Sequence, residues 1–516
     1  MGIFSCLGHR HSLRVFKRLG LPAGAALFVL VAVAPAPAGM GHAAQLTLAV
    51  ALLMALWWLT EAVPVAVTAL VPLVLLPLTG VMSAADISAP YASKTNFLFL
   101  GGLIIATALE KWNLHRRIAL STIVHFGSSP KALVLGFMVA TAAISMWISN
   151  SATTMMMLPI AMAVCRHFDD KDSGYGQKLA PILLLAVAYS ATIGGLGTLV
   201  GTPPNAVFAG AFSSLFPQAP EVGFFQWMMV GVPIVAIMIP LAWAYLVYLA
   251  SDIGRSRLSI DRNLVGDQLR RLGPMTGPER RVLAVFSLTA LLWMFRRNLD
   301  LGSVEILGWA ALLPEPSLVG DSTVAIAMAL LLFVLPAGDK DRSRLLDWQS
   351  AVKLPWGVIL LLGGGFALAE AIRVSGLATW LGLVLAWVGQ APPLLSILVV
   401  ATLISLVTEV TTNTAITTIM MPILAASAVA GGCDPLLLMV PCTLAASLCF
   451  MMPSGTAPNA IVFSSGRLSV PYMARVGVGL NLIAVVMVTA ITWFIAISAL
   501  NISLDSQPGW ALSLVP

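Results

Sequence analysis

Two short polar interruptions in otherwise apolar sequence carry the residues best able to bind ions. One holds Ser149-Asn150-Ser151 and the other Thr412-Asn413-Thr414. Each is followed by a break of the same form, Gly201-Thr202-Pro203-Pro204-Asn205 and Gly455-Thr456-Ala457-Pro458-Asn459. Where a helix stops inside such a segment, its last carbonyls lack backbone partners, and the next helix begins with unpaired N–H groups. Carbonyl, hydroxyl and amide oxygens together suit a hard cation such as sodium, whereas free N–H groups at the positive end of a helix dipole suit a carboxylate or sulfate. Asn150 and Asn413 can serve both, since an amide offers one acceptor oxygen and two donor hydrogens. Neither motif contains Lys or Arg, so a bound dianion would be balanced by co-bound cations. That is an argument for cotransport.

Polar interruptions in matching places of two halves are the pattern of broken helices around a carrier's binding site. The repetition reaches further. Residues 97–110 and 358–370 are both apolar, both split by glycines (Gly101-Gly102 and Gly363-Gly364-Gly365), and both end on a glutamate. Each predicts a re-entrant helical hairpin, near 93–111 and near 355–373. The expected fold is an all-α polytopic membrane protein built from two inverted-topology repeats, with re-entrant hairpins and broken transmembrane helices. Its parts are a basic cytoplasmic N-terminus (1–20), a first repeat (21–250), a polar cytoplasmic linker (251–281) and a second repeat (282–516).

Composition fixes the class. The 516 residues are 59% hydrophobic and only 10% charged, against roughly 25% charged in soluble domains. Apolar runs long enough to cross hydrocarbon give about ten to twelve passes, several of them broken. Arg10, Arg14, Lys17 and Arg18 precede the first apolar run and predict a cytoplasmic N-terminus in the plasma (inner) membrane. The linker's arginines share that side, and basic loops of this kind account for the net charge of +6 without a nucleic-acid partner. The five cysteines have no metal-ligand spacing.

An intramembrane enzyme is the rival class, and the residues do not support it. Met452-Pro453-Ser454-Gly455 lacks the first glycine of a Gly-x-Ser-Gly nucleophile, Asp321 has no evident aspartyl partner, and Gly194-Gly195-x-Gly197 has no following Lys-Ser/Thr. Four acids, Glu61, Glu110, Glu370 and Glu409, lie in or beside apolar runs and are candidates for function. Glu409 is the foremost, being beside the second motif.

With Trp57-Trp58-Leu-Thr-Glu-Ala-Val-Pro near the start and Val352-Lys-Leu-Pro-Trp356 ahead of the second glycine-split stretch, the chain resembles the divalent anion/sodium symporter family over residues 45–500. The resemblance implies sodium-coupled symport of a dicarboxylate such as succinate, or of citrate or sulfate, by alternating access. It implies a homodimer in the bilayer, an elevator-like displacement of the binding unit, sodium as the co-transported ion and no organic cofactor. Sodium-independent exchange and proton coupling are the alternatives within the class. Matched position by position, one cation site comprises Ser145, Ser149, Asn150 and the backbone near Gly195. A second comprises Thr408, Thr411, Asn413 and the backbone near Gly455. Substrate contacts fall on Asn150, Ser151, Asn413, Thr414 and Thr456. Three departures stand out: Ser151 where carboxylate carriers usually have Thr, Thr412 in the Ser position, and Ala457 for the first proline of a Pro-Pro pair.

Overall fold

A computed structural model describes residues 19–126, 129–171, 175–251, 253, 263–300, 305–338, 343–504 and 506–514. All but the last two residues of the expected basic N-terminus, and much of the first half of the expected linker, lie outside them. Apart from a pair of two-residue antiparallel strands, Leu299–Asp300 with Glu305–Ile306, the described elements are helices and turns.

Three apolar helices open the chain, α1 (Leu19–Val33), α2 (His42–Thr60) and α3 (Val65–Leu78). The first repeat continues with α4 (Lys94–Lys111), α5 (Leu114–His125), α6 (Pro130–Ser145), α7 (Asn150–Lys171), α8 (Tyr175–Gly195), α9 (Pro203–Leu215) and α10 (Phe224–Ala244). After the short linker helix α11 (Asn263–Arg271), the second repeat runs α12 (Gly277–Met294), α13 (Asp321–Val334), α14 (Trp356–Val374), α15 (Leu377–Gln390), α16 (Pro393–Val407), α17 (Asn413–Gly431), α18 (Leu436–Ser447), α19 (Ala457–Phe463) and α20 (Val470–Ile491). Among the described residues seven helices are long and apolar enough to span a bilayer, and six shorter apolar helices accompany them. The short ones include α6, α16 and α18, which stop at the polar motifs and breaks.

The hairpins are not where the glycines suggested. Both α4 and α14 run uninterrupted through their glycines. A glycine costs a helix only about 1 kcal/mol relative to alanine, and here it permits close packing. A Cβ on Gly101 would lie 2.6 Å from Ala325 Cβ of α13, and one on Gly364 would lie 2.3 Å from the Ala69 carbonyl of α3. Each hairpin instead folds around one of the two polar motifs. The ends of α6 and α8 meet, because Ser145 Oγ lies 2.8 Å from the Ala191 carbonyl. The start of α7 meets that point too, with Asn150 against Gly195. Helix α7 also packs along α8, so α6 comes in to the tip and α7 leaves it. The second repeat repeats this arrangement with α16, α17 and α18, where Thr408 Oγ1 lies 2.9 Å from the Ala446 carbonyl.

The repeats interlock. Past its break, α9 packs along α17 and α18 of the second repeat, while α19 packs along α7 and α8 of the first. Helices α9 and α17 begin at a break and at a motif and pack on each other, and so do α19 and α7. Each hairpin is thus paired with the broken helix of the other repeat, an exchange that suits inverted repeats. Helices α4, α13 and α14 form a wall beside this unit, with α4 against α13, and with α14 against α3 on one side and against α9 and α17 on the other. At one end of this wall Arg296 pairs with Asp321, both nearly buried, and Asp321 Oδ2 accepts the Phe224 N–H that starts α10 at 2.8 Å.

Candidate substrate and cation site

Both tips and both breaks open on one cavity of about 960 Å³. Ser149, Asn150, Ser151 and Ala152 line it from the first hairpin, and Thr412, Asn413 and Thr414 from the second. Thr202, Pro203 and Pro204 come from the first break, and Ser454, Gly455, Thr456, Ala457 and Pro458 from the second. The helix starts facing this space are those of α7, α9, α17 and α19. Four helix N-termini converging on one volume favour an anion there. Ala457 adds to this, because it keeps the N–H that Pro203 at the matching place lacks. The opposite wall contributes Leu103, Thr107 and Glu110 of α4 and Leu361 of α14. The cavity's cationic side chains also sit on that wall. Lys111 is paired with Asp347 at 2.6 Å, and Lys353 precedes α14.

Behind each tip lies an oxygen cluster, and the two clusters match. Ser145 Oγ is 2.7 Å from Asn150 Oδ1 and 2.8 Å from the Ala191 carbonyl. Thr408 Oγ1 is 2.8 Å from Asn413 Oδ1 and 2.9 Å from the Ala446 carbonyl. Both hydroxyl residues are fully buried. A hydroxyl has one proton, so it can satisfy only one of its two acceptors, and the other lone pair is left for an electropositive partner. Four residues past each asparagine, a threonine hydroxyl returns to the asparagine carbonyl at 2.7 Å (Thr154 and Thr417) and fixes the first turn.

The breaks are held by Asn205 and Asn459, both completely buried. The Asn205 amide donates to the carbonyls of Thr198 (2.7 Å), Gly195 (3.1 Å) and Leu196 (3.4 Å). The Asn459 amide donates to those of Met452 (3.1 Å) and Cys449 (3.4 Å). Gly195 and Cys449 each stand ten residues before the asparagine that reaches them. The backbone of Cys449, rather than that of Gly455, therefore occupies the place matching Gly195. A Cβ on Gly195 would meet Asn150 Oδ1 at 2.4 Å, whereas one on Gly455 would meet Cys449 Sγ at 2.1 Å. Gly455, the position implied by the resemblance, stands four residues before Asn459 and so matches Gly201 of the first break. Thr411 lies in the turn before α17 and does not line the cavity; Thr412, immediately before Asn413 as Ser149 is before Asn150, does. Ser149 Oγ caps α7 by accepting the Ala152 N–H at 3.3 Å, while Thr412 Oγ1 is buried with no protein partner. Of the remaining expected residues, Ser151, Thr414 and Thr456 face the cavity, and Thr456 also caps α19 through the Asn459 N–H at 3.3 Å.

The four intramembrane acids separate by environment. Glu409 is buried and accepts four backbone hydrogen bonds at 2.9–3.1 Å from Phe450, Met451 and Met452, plus the Asn481 amide at 2.6 Å. Glu370 pairs with Arg373, and Glu61 ends α2 in a left-handed conformation. Glu110 lines the cavity.

Two hairpin tips meeting head-on between interlocked repeats, with oxygen clusters behind and helix starts in front, define a membrane carrier. A family profile described as the sodium:sulfate symporter transmembrane region matches residues 17–500. The chain is 41% identical over 512 residues to the sodium-dependent dicarboxylate transporter SdcS of Staphylococcus saprophyticus, covering 98% of this chain and 96% of that one. It is 40% identical over 496 residues to the SdcS of Staphylococcus aureus, covering 95% and 93%. The fold is shared with the YdaH transporter of Alcanivorax borkumensis (TM-score 0.54, 14% identity, 93% and 97% covered) and with MtrF of Neisseria gonorrhoeae (TM-score 0.56, 12% identity, 97% and 96% covered). The chain belongs to the divalent anion/sodium symporter family; it is a multi-pass transport protein and not an enzyme.

Proposed function

We propose that this protein is a sodium-coupled symporter of a divalent anion, most specifically a C4-dicarboxylate such as succinate. The observation that carries the reading is the matched pair of oxygen clusters, Ser145–Asn150–Ala191 and Thr408–Asn413–Ala446, behind the tips that line one cavity. A sodium ion would be held at each cluster by hydroxyl, amide and carbonyl oxygens. Ser149 and Gly195 complete the first set, and Thr412 and Cys449 the second. The dianion would lie between Asn150, Ser151, Asn413, Thr414 and Thr456, its carboxylates taking N–H groups from the helix starts and amide hydrogens from the two asparagines. Cation and anion then share each asparagine, so binding one stabilises the other. The names of the two Staphylococcus relatives support sodium and a dicarboxylate as the pair carried.

Release to the other side proceeds by alternating access. The interlocked hairpins and broken helices form one unit, and the wall of α4, α13 and α14 forms the other. We assign the first an elevator-like displacement against the second, in a homodimer of the plasma (inner) membrane with a cytoplasmic N-terminus. Labelled succinate uptake into proteoliposomes, with and without an inward sodium gradient, tests the function. Disulfide trapping between cysteines placed on α4 and α9 tests the displacement. Glu110 on the cavity wall supports one second reading, proton coupling, which the same assay separates by imposing a pH gradient in place of sodium.

A further inference from the structure

The two oxygen clusters are joined by one buried phenol. Tyr189 of α8 is fully buried, and its hydroxyl donates to the Phe450 carbonyl of the opposite repeat at 2.9 Å. Its ring also packs edge-on against Phe450, with centroids 4.9 Å apart. Two residues further along α8 is Ala191, whose carbonyl accepts the Ser145 hydroxyl. On the other side, the Phe450 N–H donates to Glu409 Oε1 at 2.9 Å, and Glu409 directly follows Thr408, the hydroxyl of the second cluster. The contact therefore runs from Ser145 through α8 and Tyr189 to the second break, and through Glu409 to Thr408. Among the described residues no equivalent runs in the reverse direction. Matching Ala191 with Ala446 puts Leu444 in the tyrosine's place, and a leucine has no hydrogen to donate.

The second break is set by this contact and by Glu409. Helix α18 ends at Ser447, and the three N–H groups at 450–452 are gathered on one carboxylate. Tyr189 fixes the carbonyl face of the same stretch. Cys449, whose carbonyl occupies the place matching Gly195, immediately precedes it. Shifting Phe450 thus shifts an oxygen next to the second cation site, and the only side chain bonding its carbonyl among the described residues is that of Tyr189. A bound ion that draws Ala191 toward the first cluster acts on the same helix that carries this hydroxyl.

We infer that Tyr189 is a positioning residue that couples the two cation sites across the repeats, so that occupation of the first raises affinity at the second. The inference rests on the sodium-site reading above. Tyr189→Phe removes only the hydroxyl and keeps the packed ring. In proteoliposomes its half-saturating sodium concentration should rise about three- to tenfold, the fold-change equivalent of one neutral buried hydrogen bond. The Hill coefficient for sodium should fall toward 1, and the maximal uptake rate at saturating sodium and succinate should stay within about twofold. A purely structural tyrosine would lower the maximal rate or the melting temperature without sodium, and would leave the Hill coefficient unchanged. An unaltered sodium curve in the folded variant overturns the inference.

Should Tyr189→Phe fail to insert, Ser145→Ala makes the same test from the other end. In sodium, amide hydrogen exchange at 450–452 should then be faster than in the unaltered protein; equal protection would overturn the coupling. A sodium-dependent rise in melting temperature, recorded alongside, separates the two failures. If neither uptake nor melting of the unaltered protein responds to sodium, the site reading has failed rather than the role of Tyr189.

Discussion

Ser145 and Asn150 face each other across the first hairpin tip, hydroxyl to amide oxygen at 2.7 Å, and Thr408 and Asn413 repeat the relation at 2.8 Å. In both repeats the hydroxyl is the last helical residue or the one capping it, and the asparagine opens the next helix. The residues differ, but the geometry does not. Conserving one oxygen arrangement with a serine in one half and a threonine in the other indicates that the oxygens are what matter.

Asn150→Ala and Asn413→Ala should each abolish sodium-driven uptake while leaving insertion intact. Each removes an amide that faces the buried hydroxyl on one side and the cavity on the other. Uptake at the unaltered rate by a correctly inserted variant would refute the site assignment.

Gly195→Ala should lose at least tenfold in uptake. Its new methyl would lie 2.4 Å from Asn150 Oδ1, and the oxygen would have to leave its cluster. Gly266→Ala is the control. Its surroundings are open, and alanine in place of glycine favours a helix by up to about 1 kcal/mol, so uptake should be unchanged and melting unchanged or slightly raised. Equal uptake by the two variants would contradict the role given to Gly195.

Ser151→Thr should change the ranking of succinate, citrate and sulfate as competitors more than the sodium requirement. Ser151 lines the cavity beside Asn150, so the added methyl narrows the anion's space, while the hydroxyl is retained. Unchanged competition would remove Ser151 from the substrate contacts.

Asp347 should contribute nothing to the pH dependence of transport over about pH 5–8. The hydrogen bond from Lys111 and the Ser350 N–H holds its carboxyl at about 2, below the ordinary 3.8. A lowered value means that the stabilisation is fully present above the ordinary value and disappears as pH falls through about 2. The pair is partly exposed, 25% for Lys111 and 48% for Asp347, so Asp347→Asn should cost less than about 1 kcal/mol. Uptake measured across that range should give parallel profiles for the two proteins. A displaced profile would place a titrating role on this pair.

The sequence discloses the class, the repeat and the two asparagines, because apolar length and paired polar interruptions are local signals. The hairpins are a different matter. Gly101 and Gly364 resemble helix breaks in one dimension, yet each lies against another helix in a place where a Cβ would not fit. The real turns lie at the motifs themselves, where Ser149 caps α7 and Thr412 precedes α17. Cys449 is hidden for a related reason. Its carbonyl is used rather than its side chain, and the Asn459 amide that reaches it marks the position only after folding. Tyr189 carries no sequence signal at all, since its partner is 261 residues away.

The most direct test of the central claim is labelled succinate uptake by the purified protein in proteoliposomes, driven by an inward sodium gradient, with unlabelled citrate and sulfate as competitors. The account predicts accumulation that requires the gradient, collapses when sodium is equal on both sides, and is inhibited best by dicarboxylates. Uptake that ignores sodium but requires internal dicarboxylate would make the protein an exchanger and would contradict the two cation sites at Asn150 and Asn413.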